Sequence, residues 1–249
     1  MELEKWREGS KTLIEVLGMD TQPVGLACLE KPCPSEKPRE RICRSILKAA
    51  SGEKICLGAG NNACFGGAWH LGFVRLADPR TAQLVKKFVV EGEKLFSNYQ
   101  ALDNLISQMG EIPDNKNKTF YLAPLSEVDF RPEIILFLVN AEVACRLLTL
   151  IVFPDGQMPS IKIGGPTCRM AIIYPLISGQ PNISFFDYTA RKICGVPKDK
   201  LIVTLPAEHL PSLVKNVNLC SAGIAKVEFP QEFREFLQRR LVHSEKQTQ

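Results

Sequence analysis

The sequence predicts an α/β protein, a mixed sheet packed by helices, on three observations. Short runs rich in β-branched residues alternate with segments whose apolar positions recur at helical spacing, the pattern of a helix-covered sheet. One run, Ile134–Val139, is apolar at every position, as expected of a strand buried on both faces. The 249 residues are 45% hydrophobic and 23% charged, an ordinary globular composition. That length suits a single domain over 1–249 and can bury a sizeable core.

The elements follow in order. Residues 3–17 place Trp6, Leu13, Ile14 and Leu17 on one helical face and stop at Gly18. Residues 23–29 read as a strand, and 31–38, with three prolines, as a loop. A helix over 40–50 stops at Ser51-Gly52; a strand over 55–57 feeds a turn rich in Gly and Asn, then a small-residue stretch, 64–72. Residues 81–109 read as helical with a break at Gly92. Strands are predicted over 119–123 and 134–139, a helix over 141–150, and a strand over 160–163. Next come a helix over 168–177, a strand over 183–186 and a short helix over 189–194. A strand over 201–205, a helix from Ala207 and an amphipathic helix over 231–241 complete the chain. Phe229, Phe233, Phe236 and Leu237 share a face at this last helix; docking on the chain's own core is the first reading, a homodimer contact the second.

Composition removes several function classes. The formal net charge is only +4, with Lys and Arg scattered among Asp and Glu, so no basic face points to nucleic acid. Residues 134–153 are long and apolar enough to suggest a membrane span, but Asn140, Glu142 and Arg146 interrupt them. A buried strand turning into a helix is expected instead, with no membrane. The charged first residues lack the apolar stretch of a secretion signal. With an odd count of nine cysteines, a disulfide framework is not expected, and the location reads as cytoplasmic and reducing. The sequons at Asn117 and Asn182 are then unused.

A weak internal repeat spans about 20–125 and 130–220. Cys43-Arg44 opens a helix ending at Ser51-Gly52, and Cys168-Arg169 opens one ending at Ser178-Gly179; each is followed by a strand and a turn. The second helix is two residues longer, so the register is imperfect. If the halves are related by a pseudo-twofold, Cys43 and Cys168 each sit at a helix start, where free N–H groups favour a thiolate. Cys64 lies in the first turn and Asp187 takes the equivalent place in the second. Three thiolates completed by Asp187 or Cys56 suit zinc or an iron–sulfur cluster, although no Cys-x-x-Cys pair is present. Unrelated buried cysteines are the alternative, and Cys28, Cys145, Cys194 and Cys220 read as core.

Taken in order, several pieces resemble an uncharacterised prokaryotic family, domain of unknown function 169. They are Pro23-Val24-Gly25, Cys43 opening a helix, the stretch from Cys64 through Trp69-His70 to Gly72, and Arg131-Pro132-Glu133. Thr167-Cys168, Tyr174-Pro175, the run from Gly179 to Ser184 and Arg191 complete the set. The resemblance covers roughly residues 5–220 and implies shared cysteines at Cys43, Cys64 and Cys168. Many members carry a Cys-x-x-Cys-Arg after the Pro-Asn-Ile-Ser strand; here Asp187 and Ala190 replace the two cysteines while Arg191 remains. The family brings no established activity.

Other patterns are weaker. Gly58-Ala-Gly60-Asn-Asn-Ala63, with Asp78 beyond it, matches a dinucleotide fingerprint, but its strand is short. His70, near Cys64, is a candidate proton carrier or ligand, with a packing role as the plainer reading. Arg191 would compensate charge or hold an anion. Three functions are therefore expected. The first is a metal or iron–sulfur protein in redox or metallocofactor handling. The second is a module binding a small anionic molecule or tetrapyrrole between the halves. The third is a cysteine-dependent enzyme, with Cys64 and His70 as nucleophile and base.

Overall fold

The computed structural model describes residues 2–33, 38–75 and 79–245. Six strands, β1 (Val24–Leu29), β2 (Ile55–Gly58), β3 (Thr119–Pro124), β4 (Ile134–Val139), β5 (Asn182–Ser184) and β6 (Leu201–Pro206), form one sheet in the order β2-β3-β1-β4-β6-β5. The α/β class holds, and all five ladders are antiparallel.

Both faces of this sheet are covered, and β4 shows why its sequence is apolar throughout. Successive side chains point to opposite faces of a strand. Ile134, Leu136 and Leu138 join one core with Val24, Leu26, Ile46, Phe120 and Ile172, whereas Ile135, Phe137 and Val139 join another with Leu13, Leu147, Val203 and Leu213. The second core is closed by α1 (Glu2–Leu17), α6 (Ala141–Val152) and α9 (Leu210–Leu219). The first is closed by α2 (Ile42–Ala50), a π-helical turn over Arg169–Ile173 running into α7 (Tyr174–Ser178), and α8 (Tyr188–Cys194).

Counted outward from the sheet centre, the first half contributes β1, β3, β2 and the second β4, β6, β5. The two central strands meet at Gly25 opposite Ile135. The outgoing strand of each half ends in proline before a 3-10 turn, Pro124 before Leu125–Glu127 and Pro206 before Ala207–His209. The longer second-half helix carries a π turn where α2 is regular, a wider coil that accommodates extra residues.

Between β2 and β3 the chain forms α3 (Phe65–His70), α4 (Pro79–Lys87), a π turn over Phe88–Gly92, and α5 (Tyr99–Gln108), with the break falling just after Gly92 as expected. Gly72, at φ +81°, lies so close to the segment before β3 that a Cβ would stand 2.0 Å from the Pro113 carbonyl oxygen. Asn115 straps the two segments together, its backbone N–H donating to Gly72 O at 2.9 Å and its side chain to Leu71 O at 2.8 Å.

Four expectations are corrected. Residues 160–163 are not a strand: the Asn182 side chain accepts from Lys162 N–H at 2.8 Å and donates to Lys162 O at 3.0 Å, replacing a ladder. The final helix, α10 (Gln231–Glu245), does not bury its aromatic face; Phe229, Phe233, Phe236 and Leu237 remain 40–50% exposed. Cys145, read as core, is exposed. Cys33 and Cys56 form a disulfide, which withdraws Cys56 from any ligand set. Among the described residues, no helix is long and apolar enough to cross a membrane.

Candidate ligand cavity and thiol cluster

α2, α3, α8, residues 163–168 and the α4–α5 segment surround a cavity of about 1450 Å³. Cys43, Cys64, Cys168 and Asp187 all line it, joined by His70 and Cys194. Its lining is largely apolar and reaches the surface: Phe65, Leu84, Phe88, Ile163, Tyr188 and Ile193 line it and are each half exposed or more. On α4, no residue is buried; its apolar positions Leu84 and Val85 line the cavity instead of a core.

Cys64 and Asp187 are each the N-cap of a short helix. Cys64 caps α3, its Sγ accepting from Gly67 N–H at 3.3 Å, and the Arg41 guanidinium donates to the same sulfur at 3.4 Å. Asp187 caps α8, Oδ1 accepting from Ala190 N–H at 2.8 Å. Its Oδ2 accepts from Thr167 N–H at 3.0 Å and from the Thr167 hydroxyl at 2.8 Å. Both Asp187 oxygens are thus committed to fixing the second-half turn against the approach to Cys168.

The thiols do not behave as their places at helix starts suggest. Cys168, though just ahead of the π turn, has its pKa pushed up by burial, with the Asp187 charge adding to the effect. Cys43, near the start of α2, is also raised well above the usual thiol value, first by its hydrogen bond with Cys194 and then by burial. Desolvation and pairing outweigh the helix terminus at both sites. The thiol that gains acidity is Cys194, lowered to about 7 by the hydrogen bond from Cys43, with Arg41 and Arg44 contributing. Nothing in the local sequence of Cys194 separates it from a core residue.

His70 is 8% exposed, and its pKa falls to about 4 because burial and the Arg169 charge disfavour the imidazolium. Its buried Nδ1 has no hydrogen-bond partner among the described residues. Arg169 is fully buried; Nε and Nη2 donate to Met109 O, and Nη2 also to Gly110 O and Glu111 O. Arg191 does not reach the cavity. Its guanidinium donates to the carbonyls of Phe185, Pro197, Lys198 and Lys200, so it closes the loop after α8 rather than holding an anion.

The donor set also bears on a metal. Among the described residues, no three His, Cys, Asp or Glu side chains converge closely enough to hold an ion. Asp187 already accepts three hydrogen bonds, from two N–H groups and one hydroxyl, that fix its turn. These residues share a wall without forming a ready zinc or iron–sulfur site. The fingerprint at Gly58 fares similarly: β2 is an antiparallel edge strand, and the Asn61 side chain folds back onto Gly58 N and Cys56 O. Asp78 lies outside the described residues.

Comparison with known proteins adds kinship. The family model for domain of unknown function 169, described as uncharacterised ArCR, matches residues 12–216. An uncharacterised protein of Methanocaldococcus jannaschii is 25% identical over 226 residues, covering 87% of this chain and 95% of its own. No solved structure matches.

Proposed function

We propose a binding role for this chain, which belongs to the domain of unknown function 169 family: its cavity receives a bulky, largely apolar small molecule bearing an anionic group, of the size class of a tetrapyrrole. The observation that carries this reading is the cavity of about 1450 Å³ walled by side chains from both halves. Ligand pockets of drug size run to roughly 1,000 Å³, so the space suits a larger guest. Half-exposed Phe65, Phe88 and Tyr188 offer it apolar and aromatic surface. Arg41 supplies a guanidinium on the same wall, and His70 Nδ1 is a buried polar atom that lacks a partner among the described residues. Leaving such an atom unsatisfied costs about 1–3 kcal/mol, which a ligand donor would offset. A metal carried in by the guest would meet soft sulfur there, so a metallocofactor is the form of ligand that the thiols favour. A protein-only iron–sulfur or zinc centre has less support, because its donors would have to move together.

Trp69 lines the cavity, while Trp6 lies in the core across the sheet, which gives a direct test. In Trp6→Phe protein, 9,10-dibromostearate, a short-range quencher with one carboxylate, is expected to quench Trp69 saturably. Protoporphyrin IX is expected to compete. Gly66 lines the cavity, and a Cβ added there would meet nothing within 4 Å, so Gly66→Phe fills ligand space and should abolish the effect. Linear, non-saturating quenching in both proteins would rule the reading out.

A further inference from the structure

Four thiols line the cavity wall, and Cys43 and Cys194 are the two that hydrogen-bond to each other. Cys43 comes from the first turn of α2 in the first half, and Cys194 from the last residue of α8 in the second. The two helices pack together, and both side chains belong to the same core cluster while also lining the cavity. They come from opposite halves of the chain, so a bond between them would staple the two halves at the cavity floor. Arg41 and Arg44, both close enough to act on Cys194, place positive charge beside the pair.

We propose that Cys43 and Cys194 form a redox-active dithiol that takes a low-molecular-weight disulfide as its oxidant. The Cys194 thiolate attacks one sulfur of R–S–S–R, forming a mixed disulfide and expelling one thiolate, which takes up a proton. Cys43 loses its proton and attacks the Cys194 sulfur, forming the Cys43–Cys194 disulfide and expelling the second thiolate, which is protonated in turn. Two electrons pass from the protein to the small disulfide, and two thiols leave. The division of labour follows from placement: Arg41 and Arg44 put positive charge beside Cys194, which favours attack from that sulfur, and the packing of α2 on α8 brings Cys43 to the same stretch of wall.

The chemistry is independent of the large ligand and is read on protein free of it. Full-length reduced protein is incubated with oxidised glutathione at neutral pH, quenched in acid, alkylated and mapped by mass spectrometry. Besides the Cys33–Cys56 bond that the fold already holds, wild type is expected to yield the Cys43–Cys194 bond as its main disulfide, with two glutathione thiols released for each bond formed. Cys43→Ser should instead accumulate a glutathione adduct at Cys194, and Cys194→Ser should slow adduct formation at residue 43 at least tenfold. Cys145→Ser, at an exposed position outside the cavity, should leave the 43–194 bond unchanged. In wild type that keeps its native circular dichroism, a dominant pair other than 43–194 beyond the native 33–56 bond, or no 43–194 bond while Cys145 reacts, would overturn the proposal. Loss of dibromostearate binding with the 43–194 bond intact would strike only the ligand reading.

Discussion

Arg169→Met is expected to destabilise the protein by about 2–3 kcal/mol, the upper range for leaving a buried carbonyl without its charged donor. The cause is specific. The guanidinium is 0% exposed and gathers the carbonyls of Met109, Gly110 and Glu111, the point where α5 turns toward β3. Methionine keeps the stem's apolar bulk but leaves the buried Met109 carbonyl without its two donor contacts, while the more exposed Gly110 and Glu111 carbonyls can turn to water. Arg169→Lys should recover little, since an ammonium lacks the planar fork that serves several acceptors. Urea unfolding measures the loss, and amide exchange should rise first over 109–115, where the Asn115 strap depends on the same turn. A loss below about 1 kcal/mol, the range of an ordinary exposed contact, would mean that this turn is held by something else.

Stability should also fall in mild acid through His70. Its pKa is about 4 in the folded protein against an ordinary 6.5, so folding favours the neutral ring. The contribution is fully present above the unfolded value and is lost as pH falls from about 6.5 toward 4, because the unfolded chain takes up the proton first. The shift corresponds to about 3 kcal/mol in all, about 2 of it already gone by pH 5. Other groups titrate in the same window, so the comparison is between wild type and His70→Gln, which cannot be protonated there. Unfolding free energies from pH 7.5 to 4 should fall more steeply in wild type by that amount. Parallel curves would show that His70 is not buried as a neutral ring.

The two-sided sheet is legible in the sequence where side-chain alternation writes itself into the chain, as in the all-apolar run of β4. Cys43 and Cys168 near helix starts are legible too, because a helix start is a local feature of the chain. What escaped was set by partners distant in sequence. Arg169, next to Cys168 in the sequence, spends its donors on carbonyls about 60 residues away. Arg191 is held by the next loop rather than by a ligand. Cys194 looks apolar in its own helix and becomes chemical only when α2 delivers Cys43 to it. Cys56 was lost to Cys33, since spacing alone does not reveal which sulfurs will meet. The strand expected over 160–163 had suitable residues, but the Asn182 amide took the backbone groups a ladder would have used.

Thiols from both halves face one ligand space, and every functional reading above depends on that. Differential alkylation with N-ethylmaleimide, with and without saturating 9,10-dibromostearate, tests it most directly. Cys43, Cys64 and Cys194 should all be slowed at least tenfold by the ligand, while exposed Cys145 reacts at an unchanged rate. If the ligand leaves those three rates untouched, or slows Cys145 equally, the shared cavity does not exist in solution.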